Sequence, residues 1–285
     1  MIPRRALLLS LAAAPVAAFA QTDAPIRRGY VDAWSGQVHY RAAGALGQGK
    51  RPLICFHPSL ASGVNFLALM ANMGRDRFIV APDTPGYGLS DPPPAQPTVA
   101  DYAHAMADVV DRLGFKDFDV LGAHTGSKTA IELARLRPAQ VKHVVLIAAP
   151  IYTPEAIAEL RRRNRLDPPD ETGEFLTRAW KSRAAARDPR ASLDHVMQKF
   201  IEYWMGGDKR VWGQNAAFDY HFEDTIGYVT APVLVLNAGG DLYDLTLKVE
   251  PFLKTGKLIN RPDWRPSFLE HDTVEAAQIL RGFLD

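Results

Sequence analysis

A single cysteine, Cys55, stands in the whole chain, so no intramolecular disulfide can brace the fold and the core must hold by burial alone. It lies in the apolar run at 52–56, where a structural thiol is the reading over a reactive one. Excess charge of one sign is also lacking. Lys and Arg number 33 against 32 Asp and Glu, a formal net charge of +1, which gives no reason to expect nucleic acid or an anionic membrane surface as partner. A phosphate-binding glycine loop, Cys/His metal spacing and a flavin motif are all missing, so the chemistry is expected to use no cofactor and no metal and to act on a small-molecule substrate. The long apolar run at 6–19 is too short and too alanine-rich for a membrane span.

That run belongs to a different kind of segment. Met1-Ile2-Pro3-Arg4-Arg5 is basic, residues 6–19 are apolar, and Ala18-Phe19-Ala20 places small residues at a cleavage site. Basic, apolar and small in that order is what export requires, so residues 1–20 read as a signal peptide cut after Ala20. The mature protein is then expected in the periplasm or outside the cell, with no membrane anchor after cleavage.

The rest is one large α/β unit in the making. Residues 29–40 alternate apolar and polar, with Gln37-Val38-His39-Tyr40 as the second half of a hairpin. Continuous apolar runs at 52–56, 78–82, 118–121, 144–148 and 232–237 read as strands buried on both faces of a parallel sheet. Helical spacing fills the gaps at 65–73, at 99–113 after the N-cap Thr98, after Lys128, and at 274–284. Strands alternating with helices imply a mostly parallel central sheet covered by helices on both faces. The alternation stops at Pro150. Residues 151–228 carry only helical segments, rich in arginine and aromatics. Such an insertion belongs at the carboxyl edge of the sheet and reads as a helical lid, with 21–150 and 229–285 as the core. Phe175, Trp180, Phe200, Tyr203, Trp204, Trp212 and Phe218 either line an apolar pocket there or pack its helices together. Arg161-Arg162-Arg163 reads as a solvated face, with an anionic substrate group as the alternative. His195 and His221 in the same region read as structural.

The chemistry-bearing stretch is Gly122-Ala123-His124-Thr125-Gly126. It has the spacing of the nucleophile elbow, G-x-S-x-G, with histidine where serine should stand. Around it lie His57-Pro58-Ser59, Asp83-x-x-Gly86-x-Gly88-x-Ser90 and Asn237-Ala-Gly-Gly-Asp241. In this order the four motifs make the chain resemble the α/β-hydrolase fold superfamily across nearly all of its mature part. The resemblance implies an oxyanion hole from the backbone N–H groups of Ser59 and Thr125. It implies an acid at Asp241, with Asp244 as the alternative. The family's histidine position falls near Arg265-Pro266, where none stands, leaving His271 as the candidate.

Two classes of function follow. One is an enzyme acting on an ester, lactone or similar carbonyl compound. Within it His124 serves either as a nucleophile forming an acyl-imidazole or as a general base for hydrolysis or lyase chemistry. Ser127 and Ser59 rank behind it as nucleophiles. The other is a binding protein that kept the fold and lost the triad. An acid reaching His124 or His271 favours the first, and its absence favours the second.

Overall fold

The computed structural model describes residues 23–163 and 169–285. The expected signal peptide, residues 1–20, lies outside them. The chain opens with a hairpin, β1 (Ile26–Ala33) and β2 (Gly36–Ala43), closed by Trp34 and Ser35, with Gly36 at φ 115°. Then come β3 (Leu53–Phe56), α1 (Leu67–Met73), β4 (Ile79–Pro82), α2 (Val99–Arg112), β5 (Phe118–Ala123), α3 (Thr125–Leu136) and β6 (Val141–Ile147). Five helices follow before the next strand: α4 (Pro154–Arg163), α5 (Glu174–Ala185), α6 (Leu193–Met205), α7 (Trp212–Phe218) and α8 (Phe222–Ile226). The chain ends with β7 (Val233–Ala238), α9 (Tyr243–Leu247), β8 (Gly256–Arg261), α10 (Phe268–His271) and α11 (Thr273–Leu284).

The eight strands form one sheet in the order β1-β2-β4-β3-β5-β6-β7-β8. Pairing is antiparallel from β1 to β2 and from β2 to β4, and parallel through the rest. The apolar runs form strands because each can bury both faces. Leu53 and Cys55 of β3 face α1 and α11 with Leu121, Met70 and Leu280, whereas Ile54 and Phe56 face α2 and α3 with Val120, Met106 and Ile131. Each such side chain removed from water contributes about 1.5–3 kcal/mol. Cys55 is fully buried, and burial pushes its thiol pKa well up, which keeps it inert.

Helix α2 begins as the sequence predicts. Thr98 Oγ1 accepts the Asp101 N–H at 3.2 Å, and the Asp101 carboxylate accepts the Thr98 N–H at 2.8 Å. Two strands depart most from expectation. β6 begins at Val141, three residues early, because Phe118 pairs with Val141 across an irregular register. β8 is not foreseen at all; it is an edge strand in which Leu258 and Ile259 are only half-buried, so it carries no apolar run.

Candidate active site

The four sequence motifs converge on the carboxyl edge of the sheet, following β3, β4, β5 and β7 respectively. The first two make the frame. His57, buried beyond β3, donates from Nδ1 to the Pro58 carbonyl at 2.7 Å and accepts the Thr84 N–H on Nε2 at 2.8 Å. Both ring nitrogens are thus used in a neutral imidazole, and burial holds its pKa below the ordinary value. Asp83 ties the second loop. It accepts from His39 Nδ1 at 2.8 Å, Arg41 at 3.0 Å, Gly63 N–H at 2.8 Å and Leu89 N–H at 3.0 Å. Burial alone would raise its pKa, but the hydrogen bonds from His39, Leu89 and Gly63 and the nearby His57 together outweigh it, and the carboxyl sits below its usual range. Gly88 has φ 54°, and a Cβ there would lie 2.2 Å from Asp83 Oδ2, which is why the motif needs glycine. The Asp83 motif is therefore a structural knot.

The elbow follows the same logic with tighter tolerances. His124 has φ 55° and ψ −113°, a conformation that costs a non-glycine residue about 1–3 kcal/mol. Its backbone is held from both sides: the N–H donates to the Ile147 carbonyl at 2.8 Å, and its carbonyl accepts the Ser127 hydroxyl at 2.5 Å. Helix α3 can start this close to β3 only because Gly126 lacks a side chain, since a Cβ there would lie 2.2 Å from the Phe56 carbonyl oxygen. Ser127, fully buried and bonded to the His124 carbonyl, is not presented as a nucleophile.

The His124 imidazole is half-buried and makes no hydrogen bond among the described residues. Desolvation, reinforced by the Lys128 ammonium, pushes its pKa down to about 4. Lys128, four residues on, is itself buried with Nζ 3.2 Å from the Pro150 carbonyl and 4.7 Å from the centre of the Phe222 ring. Burial, partly countered by Glu223, lowers its pKa to about 8. Sequence reasoning missed this residue because a lysine in a helical run reads as solvated.

Ser59 and Thr125, the residues expected to supply an oxyanion hole, are bonded to each other. The Ser59 N–H donates to Thr125 Oγ1 at 2.5 Å, and Thr125 is the first residue of α3, so its own N–H has no partner within the helix. Helix α7 covers this corner. A Cβ on Gly213 would lie 2.3 Å from Ser59 Oγ, and Tyr87 fastens the covering segment by donating to the Arg210 carbonyl at 2.7 Å and accepting the Gly213 N–H at 2.8 Å. A space of about 10 Å³ remains between His57, Ser59, Thr125 and Gly213, room for one water molecule at most.

The other expected members of a triad stand apart. Asp241 and Asp244 are exposed after β7, and no hydrogen bond or ion pair joins either to a histidine among the described residues. Arg265, at the family's histidine position, is exposed. His271 ends α10, and its buried Nε2 has no partner; it lines a cavity of about 730 Å³ in the insertion, which His124 does not line. The cause lies in the loop after β8. Phe268 and Leu269 are buried in the core, a Cβ on Gly240 would lie 2.9 Å from Pro266 Cγ, and so the chain is packed in place before it reaches His271. His195 is bonded to Glu270 at 2.8 Å and lines the same cavity.

Comparison with known proteins agrees with this architecture. A model of the alpha/beta hydrolase fold family matches residues 51–185. The 2-hydroxymuconate semialdehyde hydrolase of Pseudomonas sp. (strain CF600) is 28% identical over 102 residues, 34% of this chain and 36% of that protein. The chain spans about a third of the length of the curated relatives it matches. Among solved structures, the enol-lactonase from Burkholderia xenovorans LB400 superposes with TM-score 0.73 at 16% identity, over 90% of this chain and 99% of that one. E-2-(Acetamidomethylene)succinate hydrolase does so with TM-score 0.73 at 20% identity, over 92% and 100%. With the strand order of the sheet, these matches show that the chain has the α/β-hydrolase fold, and residues 51–185 match that family's model.

Proposed function

We propose that the protein is a hydrolase acting on a small ester, lactone or similar carbonyl compound, with His124 as the attacking group. The observation that carries this reading is a strained, uncharged imidazole with no partner, set beside the free N–H of Thr125. A serine nucleophile needs a base to take its proton, whereas a neutral imidazole attacks with a lone pair it already has. The missing contacts to Asp241 and His271 are therefore compatible with turnover. The ring nitrogen adds to the carbonyl carbon, the oxyanion takes the Thr125 N–H and the Ser59 N–H released from Thr125 Oγ1, and collapse expels the alkoxide, which receives by way of water the proton on the ring's other nitrogen, leaving an alcohol and a neutral acyl-imidazole. Water then cleaves the acyl-imidazole and restores the ring. The names of two structural neighbours, an enol-lactonase and a thermophilic esterase from Thermogutta terrifontis, support the substrate class.

Residues 151–228 act as a lid in this scheme, because α7 must lift from Ser59 before a substrate can enter. Export with cleavage after Ala20 places the reaction in the periplasm or outside the cell; N-terminal sequencing of the secreted fraction tests it. A second reading, ligand binding without turnover, draws on the capped Ser59 N–H and on the lack of an acid bonded to the His124 imidazole among the described residues. A panel of activated esters and lactones separates the two. The native protein should turn over at least one, His124→Ala should lose at least about a thousandfold of that rate, and His124→Ser should not recover it. Silence from the native protein across the panel would favour binding.

A further inference from the structure

The cavity of about 730 Å³ lies between α5, α6, the segment after α6 and α10, and shares no lining residue with the space at Ser59 and Thr125. Its size falls in the range of small-molecule sites. Its wall is unusual in charge. Asp188 and Glu270, the acids that line it, are both engaged: Asp188 with Arg190 and the Ser267 hydroxyl, Glu270 with His195 and Lys199. Arg183, Arg187 and Arg210 line the same space, and none of the three pairs with a carboxylate among the described residues. Two of them rest on aromatic faces instead. Arg183 sits 4.5 Å from the centre of the Tyr203 ring and Arg210 sits 4.2 Å from that of Trp204.

Arg210 is the telling residue. It is only 6% exposed, a buried guanidinium with no counter-ion, and an uncompensated buried charge costs several kcal/mol. Its Nη1 reaches the Gly207 carbonyl at 2.8 Å, but its Nε has no acceptor. Two other lining residues share that condition: the indole N–H of Trp204 and Nε2 of His271 are buried without partners. Three nitrogens without partners lie buried in the wall of one cavity, whereas native structures leave few such groups unsatisfied.

We propose that this cavity binds an organic carboxylate with a flat apolar body, a site separate from the His124 corner and independent of the reading given for it. The carboxylate supplies the missing counter-charge to Arg210 and Arg183; the body lies against Phe175 and Phe200, which also line the wall. Guanidinium groups lying on rings suit such a ligand, since they stay weakly hydrated and keep planar donors ready.

Titration calorimetry on the mature protein with benzoate and 2-naphthoate tests this, with benzyl alcohol, benzylamine and inorganic phosphate as comparisons. At least one of the two carboxylates should bind with one-to-one stoichiometry, and benzyl alcohol about tenfold more weakly or not at all. Arg183→Gln, on a half-buried residue whose loss leaves the fold intact by circular dichroism, should weaken binding about tenfold. Arg210→Gln should weaken it at least as much, and His124→Ala should leave it unchanged. No heat from either carboxylate, equal binding of benzyl alcohol, phosphate binding as tightly as benzoate, or a folded Arg183→Gln with native affinity would each overturn the proposal.

Discussion

In α3, ten of twelve residues are buried; in α5, of the same length, Phe175 alone is, and in α4 none is. The ion pairs differ in the same way. Asp83 in the core is fully buried and bonded by four partners, whereas Arg161–Asp219 and the pairs of Glu159 with Arg162 and Arg163 lie on the surface of the insertion. The core places atoms to within fractions of an ångström and can therefore hold His124 in a strained conformation. The insertion keeps few such constraints, encloses the large cavity, and covers the elbow through a handful of contacts around Tyr87. Positional accuracy resides in one region and adaptability in the other.

The largest effect expected from breaking this contrast is at Asp83. Asp83→Ala leaves Arg41 buried without its carboxylate and should cost about 3–5 kcal/mol in urea unfolding. Next is pH. The folded-state pKa of His124 is held at about 4, below its ordinary 6.5, so above pH 6.5 the group contributes nothing to the pH dependence. As pH falls from 6.5 towards 4 the unfolded chain takes up a proton that the folded chain does not, and stability falls. Urea midpoints at pH 7 and pH 5 should differ less in His124→Gln than in the native protein. By the same shift, turnover should stay flat from pH 8 to pH 5 and decline only near pH 4.

His124→Gly comes third. Glycine relieves the φ of 55° but adds chain entropy to the unfolded state, for a net gain of roughly 1 kcal/mol with turnover lost. A variant that is both more stable and inactive would show strain kept for chemistry. The smallest effects belong to exposed acids. Asp219→Ala should change stability by less than about 1 kcal/mol. Asp241→Asn should alter turnover by less than about twofold, since nothing in the site touches it; a large loss would restore the acid to the mechanism.

Most of this architecture can be read in the amino-acid order because the inner parallel strands are buried on both faces and show as largely apolar runs, with Asp119 in β5 and Lys142-His143 in β6 as the breaks. β8 cannot, since an edge strand half in water needs no such run. His124 is legible for a local reason: the glycines on either side are demanded by backbone distances of 2.2 Å, so the spacing survives whatever residue they flank. The rest of the site depends on where loops travel. Nothing in Asn237-Ala-Gly-Gly-Asp241 tells that Asp241 faces solvent, and nothing around Pro266 tells that His271 ends a short helix facing the insertion. The aromatics of the insertion are legible as either pocket or packing, and they are both: Phe175, Phe200, Tyr203 and Trp204 line the cavity while stacking edge to face on one another. The arginines that give the cavity its charge lie at 183, 187 and 210, apart from the conspicuous run at 161–163.

The measurement that bears most directly on the central claim is mass spectrometry of the protein quenched in acid during turnover of 4-nitrophenyl acetate. An acetyl group on the peptide containing His124, absent from His124→Ala, is the predicted result. Acetyl on Ser59 or Ser127, or full turnover by His124→Ala, would contradict the account.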